Sequence, residues 1–141
     1  MKVPDTNVLL YAVNPQSAFH ARARQWMDAA CNAPEGVGFA WNVLLGFIRI
    51  STRAGIFPLP LSAQAATGMV AQMLEAPHSQ ILEPGPGHLE ILSRLLRAVG
   101  TAGNLTSDAH LAALAIEHHA SIGSFDADFK RFAHLRVELL R

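Results

Sequence analysis

The chain has 141 residues, 50% of them hydrophobic and 16% charged, with eleven basic residues balanced by eleven acidic ones. That length and apolar content suit one domain with a substantial core and exclude a disordered chain. The zero net charge argues against a general nucleic-acid coat, which is normally basic, but leaves room for a local basic rim. There is no apolar run of the roughly eighteen residues a membrane span needs. Asp5 would interrupt any apolar leader, so nothing resembles a signal peptide. The single cysteine, Cys31, cannot form an internal disulfide, and it is expected to be a buried small residue in a reducing, cytoplasmic setting.

In chain order, residues 2–4 are predicted to form a short buried strand, and Asn7 to Val13 a helical turn closed by Asn14-Pro15. Ser17 or a neighbour is expected to cap a helix running to about Ala30, because Phe19, Ala23, Trp26, Met27 and Ala30 recur at steps of three and four. Val37 to Ala40 suits a second strand, and Asn42 to Arg53 an apolar helix stopped by Gly55. Pro58 and Pro60 stiffen the connection to a helix from Ser62 to Leu74. Ile81 and Leu82 are predicted as a strand, and His88 to Val99 as a helix ending at Gly100. An alanine-rich helix opens around Asp108, Ser121 to Ser124 forms a strand, Ala127 to Phe132 a helical turn, and Val137 to Leu139 a last edge strand. Short apolar strands alternating with longer helices predict an α/β fold: a parallel twisted sheet of four to five short strands with helices on both faces.

Ligands of such sheets sit beyond the carboxyl ends of the strands. Asp5 and Asp126 each fall just past a predicted strand end, Asp128 follows closely, and Asp108 opens its helix. Each has an ordinary reading as a turn residue, a cap or a complement to a helix dipole. Together they would form an anionic bowl, which costs stability unless a cation occupies it. Oxygen donors favour Mg²⁺ or Mn²⁺ over Zn²⁺. None of the seven histidines forms a zinc motif: His110 points elsewhere on its helix than Asp108, and His118-His119 answers the dipole at that helix's end.

The stretch Asp5-Thr6-Asn7-Val8-Leu9-Leu10-Tyr11 resembles the opening motif of PIN-domain ribonucleases. Gly103 to Ala115 resembles the third acidic motif, and Ser124-Phe125-Asp126-Ala127-Asp128-Phe129 the fourth. Order, spacing and length fit over the whole chain, 1–141, as a single PIN-like domain similar to VapC-type toxins of toxin–antitoxin pairs. The resemblance implies a metal-dependent endoribonuclease, cleaving RNA phosphodiesters with a metal-activated water. It implies that Asp5, Asp108 and Asp126 hold Mg²⁺ (or Mn²⁺), with Asp128 catalytic beside them, and that Asn7 and Ser124 support the cluster. The partners it implies are an RNA substrate, a cognate antitoxin and a second copy in a homodimer, with no membrane.

One position departs from that pattern. A glutamate usual on the helix after the second strand is absent, Gly46 standing in its place, and Arg49 one turn on is a candidate phosphate or aspartate contact. The missing acid keeps open a degraded PIN domain that binds RNA or protein without cutting. A receiver-like Mg²⁺-binding signalling domain is the third reading, and it lacks support because no aspartate lies between Asp28 and Asp108.

Overall fold

A computed structural model describes residues 1–55 and 57–141. Five strands, β1 (Lys2–Pro4), β2 (Val37–Phe39), β3 (Ser79–Ile81), β4 (Ser121–Ser124) and β5 (Arg136–Leu139), form one sheet in the order β3-β2-β1-β4-β5. Every neighbouring pair is parallel, as in Val3 opposite Ile122 and Val37 opposite Ser79. Six α-helices flank the sheet on both faces: α1 (Thr6–Val13), α2 (His20–Asn32), α3 (Trp41–Ser51), α4 (Ala63–Glu75), α5 (His88–Val99) and α6 (Thr106–Glu117). Short 3-10 turns cover Gly103–Leu105 and Ala127–Arg131. No helix among the described residues is long and apolar enough to cross a membrane.

The chain first builds the sheet outwards from β1 through β2 to β3, then returns to place β4 on the other side of β1. Parallel crossovers are right-handed, so this reversal sends successive helices to opposite faces. It also opens a crevice at the carboxyl ends of β1 and β4. Val3 and Ile122 fill the centre of the sheet, and Phe39, Leu44, Phe47, Leu111, Leu114 and Phe129 complete a core that excludes solvent entirely or nearly so. Gly123 lets α2 close on β4: a Cβ there would stand 2.2 Å from Trp26 Cζ2. The indole Nε1 then donates to Glu138 Oε2 at 2.6 Å, and Lys2 Nζ pairs with Glu138 Oε1 at 2.6 Å. One tryptophan thus ties α2 to β5 across β4.

Most expected elements appear within a residue or two, and the differences have local causes. The second helix begins at His20 because Ser17 Oγ accepts from Phe19 N–H at 3.1 Å, making a turn of the residues that would have capped it. The third ends at Ser51, short of Arg53: Leu61 N–H takes the Ser51 carbonyl at 2.8 Å, so the proline-containing connection folds back onto the helix end. The third strand lies at Ser79–Ile81, in register with β2, and Leu82 is its buried exit. Cys31 is partly rather than fully buried.

Candidate active site

Asp5 is the residue after β1 and the N-cap of α1. Its Oδ1 accepts from the N–H of Thr6, the first residue of the helix, at 2.7 Å. Its own N–H donates to the Gly123 carbonyl at 3.0 Å, so the β1–β4 ladder runs up to the site. Across that ladder the fully buried Ser124 donates from Oγ to Asp5 Oδ2 at 2.7 Å. Ser124 Oγ in turn accepts from Asp126 N–H at 2.9 Å and from Asn7 Nδ2 at 3.3 Å. One donor and two acceptor positions exhaust a hydroxyl. Asn7 Oδ1 accepts from Phe125 N–H at 3.3 Å, and Phe125 packs between Tyr11 and Phe19 with ring centroids 5.0 Å away. The exit of β4 is thereby pinned against α1, which fixes where Asp126 and Asp128 emerge. Asp126 Oδ1 caps the following 3-10 turn through Asp128 N–H at 2.8 Å. Asp128 itself is exposed.

Asp108 comes from another direction, in the first turn of α6. Ala109 and Leu111 to Ala115 are buried, so the helix lies deep in the molecule and carries its leading carboxylate with it. Burial, followed by the charges of Asp5, Asp126 and Asp128, lifts Asp108 from 3.8 to about 6. Burial also raises Asp5, against the hydrogen bonds from Ser124 and Thr6, and the charge of Asp126 adds to the rise. Asp108 therefore lies within electrostatic reach of Asp5, Asp126 and Asp128, although the four come from three separate stretches of chain.

Their side chains are not drawn tightly together: among the described residues no three His, Cys, Asp or Glu groups are gathered closely enough to hold a metal ion. Asp5 and Asp126 each satisfy an oxygen on a nearby N–H. The chemistry of the donors still fits a hard divalent cation, since every candidate ligand is a carboxylate oxygen and two of them have raised proton affinity.

The fourth wall is α3, which sequence reasoning left nearly empty. Gly46 faces Thr6, and a Cβ there would stand 3.1 Å from Thr6 Oγ1 and 3.3 Å from Thr6 Cγ2. A longer side chain at 46 requires Thr6, the neighbour of Asp5, to yield. One turn earlier Asn42 Nδ2 donates to Ser107 Oγ at 3.1 Å and to Ser107 O at 3.3 Å, beside Asp108, while its buried Oδ1 has no partner. An amide at the start of a helix was the available signal for Asn42, and it went unused. Arg49 lies exposed, and neither salt bridge among the described residues includes it.

Four histidines bond to groups other than the aspartates. His110 Nδ1 meets His88 Nε2 at 2.8 Å, His88 Nδ1 bonds Glu117, and Glu117 Oε2 accepts from Gly85 N–H at 2.8 Å. This chain fastens the start of α5 to α6. His118 Nε2 lies 3.1 Å from the Glu83 carbonyl.

A parallel sheet with aspartates at its topological switch point defines a class that comparison with known proteins makes specific. The family profile described as PIN domain matches residues 2–135, and the chain belongs to that family. It is 51% identical over 136 residues to Ribonuclease VapC37 of Mycobacterium tuberculosis, covering 96% of this chain and 94% of that protein. It is 42% identical over 136 residues to Ribonuclease VapC33 of the same species, covering 96% and 95%. Among solved structures, VapBC2 from Rickettsia felis bound to a promoter DNA fragment matches with a TM-score of 0.73 at 17% identity, over 99% of this chain and 98% of that one. Mycobacterium tuberculosis VapC20, described as a sarcin-ricin loop cleaving toxin, matches with a TM-score of 0.68 at 18% identity, over 96% and 99%. At such identities the structural matches speak for the fold; the relatives in sequence place the chain with the VapC-type PIN domains.

Proposed function

We propose that the protein is a Mg²⁺- or Mn²⁺-dependent endoribonuclease, the toxin of a toxin–antitoxin pair. The observation that carries this reading is Asp108, lifted to about 6 by burial and by three other aspartates at one end of the sheet. Burial among like charges disfavours the carboxylate form, and a cation offsets that cost. Similarity to the VapC ribonucleases over nearly the whole chain supports the same reading.

Asp5, Asp108 and Asp126 would hold the cation, with Asp128 at the rim. When bound, the ion supplies an acidified water and positive charge against the phosphorane that forms as a phosphodiester is attacked in line. The remaining work belongs to the chain. Ser124 and Asn7 hold Asp5 and the β4 exit in one geometry. Burial and the neighbouring carboxylates disfavour the charged form of Asp108, and a bound cation would hold it as the carboxylate. Lys130 and Arg131, exposed on the turn that follows Asp126 and Asp128, offer charge to the RNA backbone beside the bowl. An antitoxin would bind and silence the enzyme, and the toxin would act as a homodimer.

Purified protein incubated with a structured RNA and Mn²⁺ is expected to cleave it, to stop in EDTA, and to lose activity in Asp5→Asn. Tight binding of RNA with no cleavage under any metal would replace this conclusion with a non-cutting RNA-binding domain.

A further inference from the structure

Two residues of α3 lie against the neighbours of the aspartates: Asn42 touches Ser107 beside Asp108, and Gly46 lies against Thr6 beside Asp5. A helix turns about 100° per residue, so Trp41, Leu45 and Arg49 form the adjoining strip. All three are exposed, Trp41 at 45% and Leu45 at 58%. The core does not need them, because Val43, Leu44 and Phe47 already fill the buried side of α3. Trp41 is the first residue of the helix, just beyond the carboxyl end of β2 and next to Asn42, so it sits at the same sheet edge as the aspartates. Arg49 lies about 12 Å farther along the axis. Arg53, just past the helix end, is exposed as well, and neither arginine belongs to a salt bridge among the described residues.

We propose that this strip is where single-stranded RNA lies as it enters the cleft, an unpaired base beside the scissile linkage stacking on Trp41 and the phosphates that follow running over Arg49 and Arg53. The inference rests on the nuclease reading and adds the residues that position its substrate. The arrangement is aromatic and apolar next to the negative bowl and cationic away from it. A nucleic-acid strand uses both halves: base faces stack on aromatic rings without regard to sequence, and phosphates seek cations. It also shows how a chain of zero net charge with an acidic site can attract a polyanion, since the attraction is confined to one line leading to that site.

The protein carries its own probe. Of its two tryptophans, Trp26 is 4% exposed and hydrogen-bonded to Glu138, so a ligand at the cleft reports through Trp41. In EDTA, a mixed-sequence single-stranded oligoribonucleotide is titrated while tryptophan emission and the anisotropy of a labelled oligonucleotide are followed. Emission is expected to fall and saturate with binding. Trp41→Phe should remove that change and keep most of the affinity, because the smaller ring still stacks. Trp41→Ala should weaken binding about tenfold, and in Mn²⁺ it should raise KM with little change in kcat. Arg49→Ala should weaken binding and flatten its salt dependence. Unchanged emission at saturation, or alanine variants that bind as the wild type does, overturns the proposal. So does a Trp41→Ala protein that passes from dimer to monomer with its oligonucleotide affinity intact, which would assign the strip to self-association. Quenching without cleavage by any metal would sink the nuclease and leave the strip; normal cleavage and KM in Trp41→Ala would do the reverse.

Discussion

Replacing Asp108 by asparagine is expected to make the protein more stable and inactive together. The folded-state affinity of Asp108 is about 6, against 3.8 when unperturbed. The folded protein therefore binds more protons than the unfolded chain between those values, and stability falls as pH rises through that window. The penalty is complete above about pH 6 and absent below about pH 4. Two pH units correspond to about 3 kcal/mol, and partial exposure with solvent screening reduces this to about 1–2 kcal/mol. Asparagine keeps the shape and removes the charge, so Asp108→Asn should gain that amount at neutral pH and lose the advantage near pH 4. For a domain of this size the gain is about 3–6 °C in Tm. An ordinary first-turn carboxylate would give the opposite sign, since its loss costs about 0.3–1 kcal/mol of helix-dipole interaction. Urea denaturation followed through Trp26 emission across pH measures the difference. A variant no more stable than the wild type at neutral pH, or one whose advantage persists unchanged to pH 4, would refute the claim that burial and the neighbouring carboxylates destabilise the charged form of Asp108.

Mg²⁺ or Mn²⁺ should raise the melting temperature by binding the folded state, about 1.4 kcal/mol at tenfold excess over Kd, and the shift should shrink in Asp5→Asn; no shift at millimolar metal speaks against a preformed site. Expression of the wild type should arrest growth, and Asp108→Ala at equal abundance should not; continued toxicity would contradict the assignment. Ser124→Ala strips Asp5 of a donor and leaves Asp126 N–H and Asn7 Nδ2 without their acceptor, so a loss of about 1–3 kcal/mol in chemical denaturation is expected. It should also push the Asp5 affinity higher, because the Ser124 hydrogen bond holds it down. Gly123→Ala drives a methyl into the Trp26 ring and should cost about 1–3 kcal/mol; a Tm equal to that of the wild type would mean that α2 does not lie on β4 as described.

The amino-acid pattern by itself determined the alternation of strands and helices, their approximate limits and the four carboxylates, because apolar periodicity, glycine stops and caps are local properties of a chain. His88 to Val99 followed by Gly100 was legible to the residue for that reason. The tertiary structure alone decided what surrounds those carboxylates. Ser124 reaches Asp5 across 119 positions and Asn7 across 117, contacts that exist only because the chain turns back to lay β4 beside β1. Packing of α3 on α1 sets Gly46 against Thr6, packing of α5 on α6 joins His110 to His88 and Glu117, and Trp41 and Arg49 are left facing solvent. Periodicity says which face of an element is apolar; which neighbour that face meets, and which polar groups then lose water, depends on packing between segments far apart in the chain.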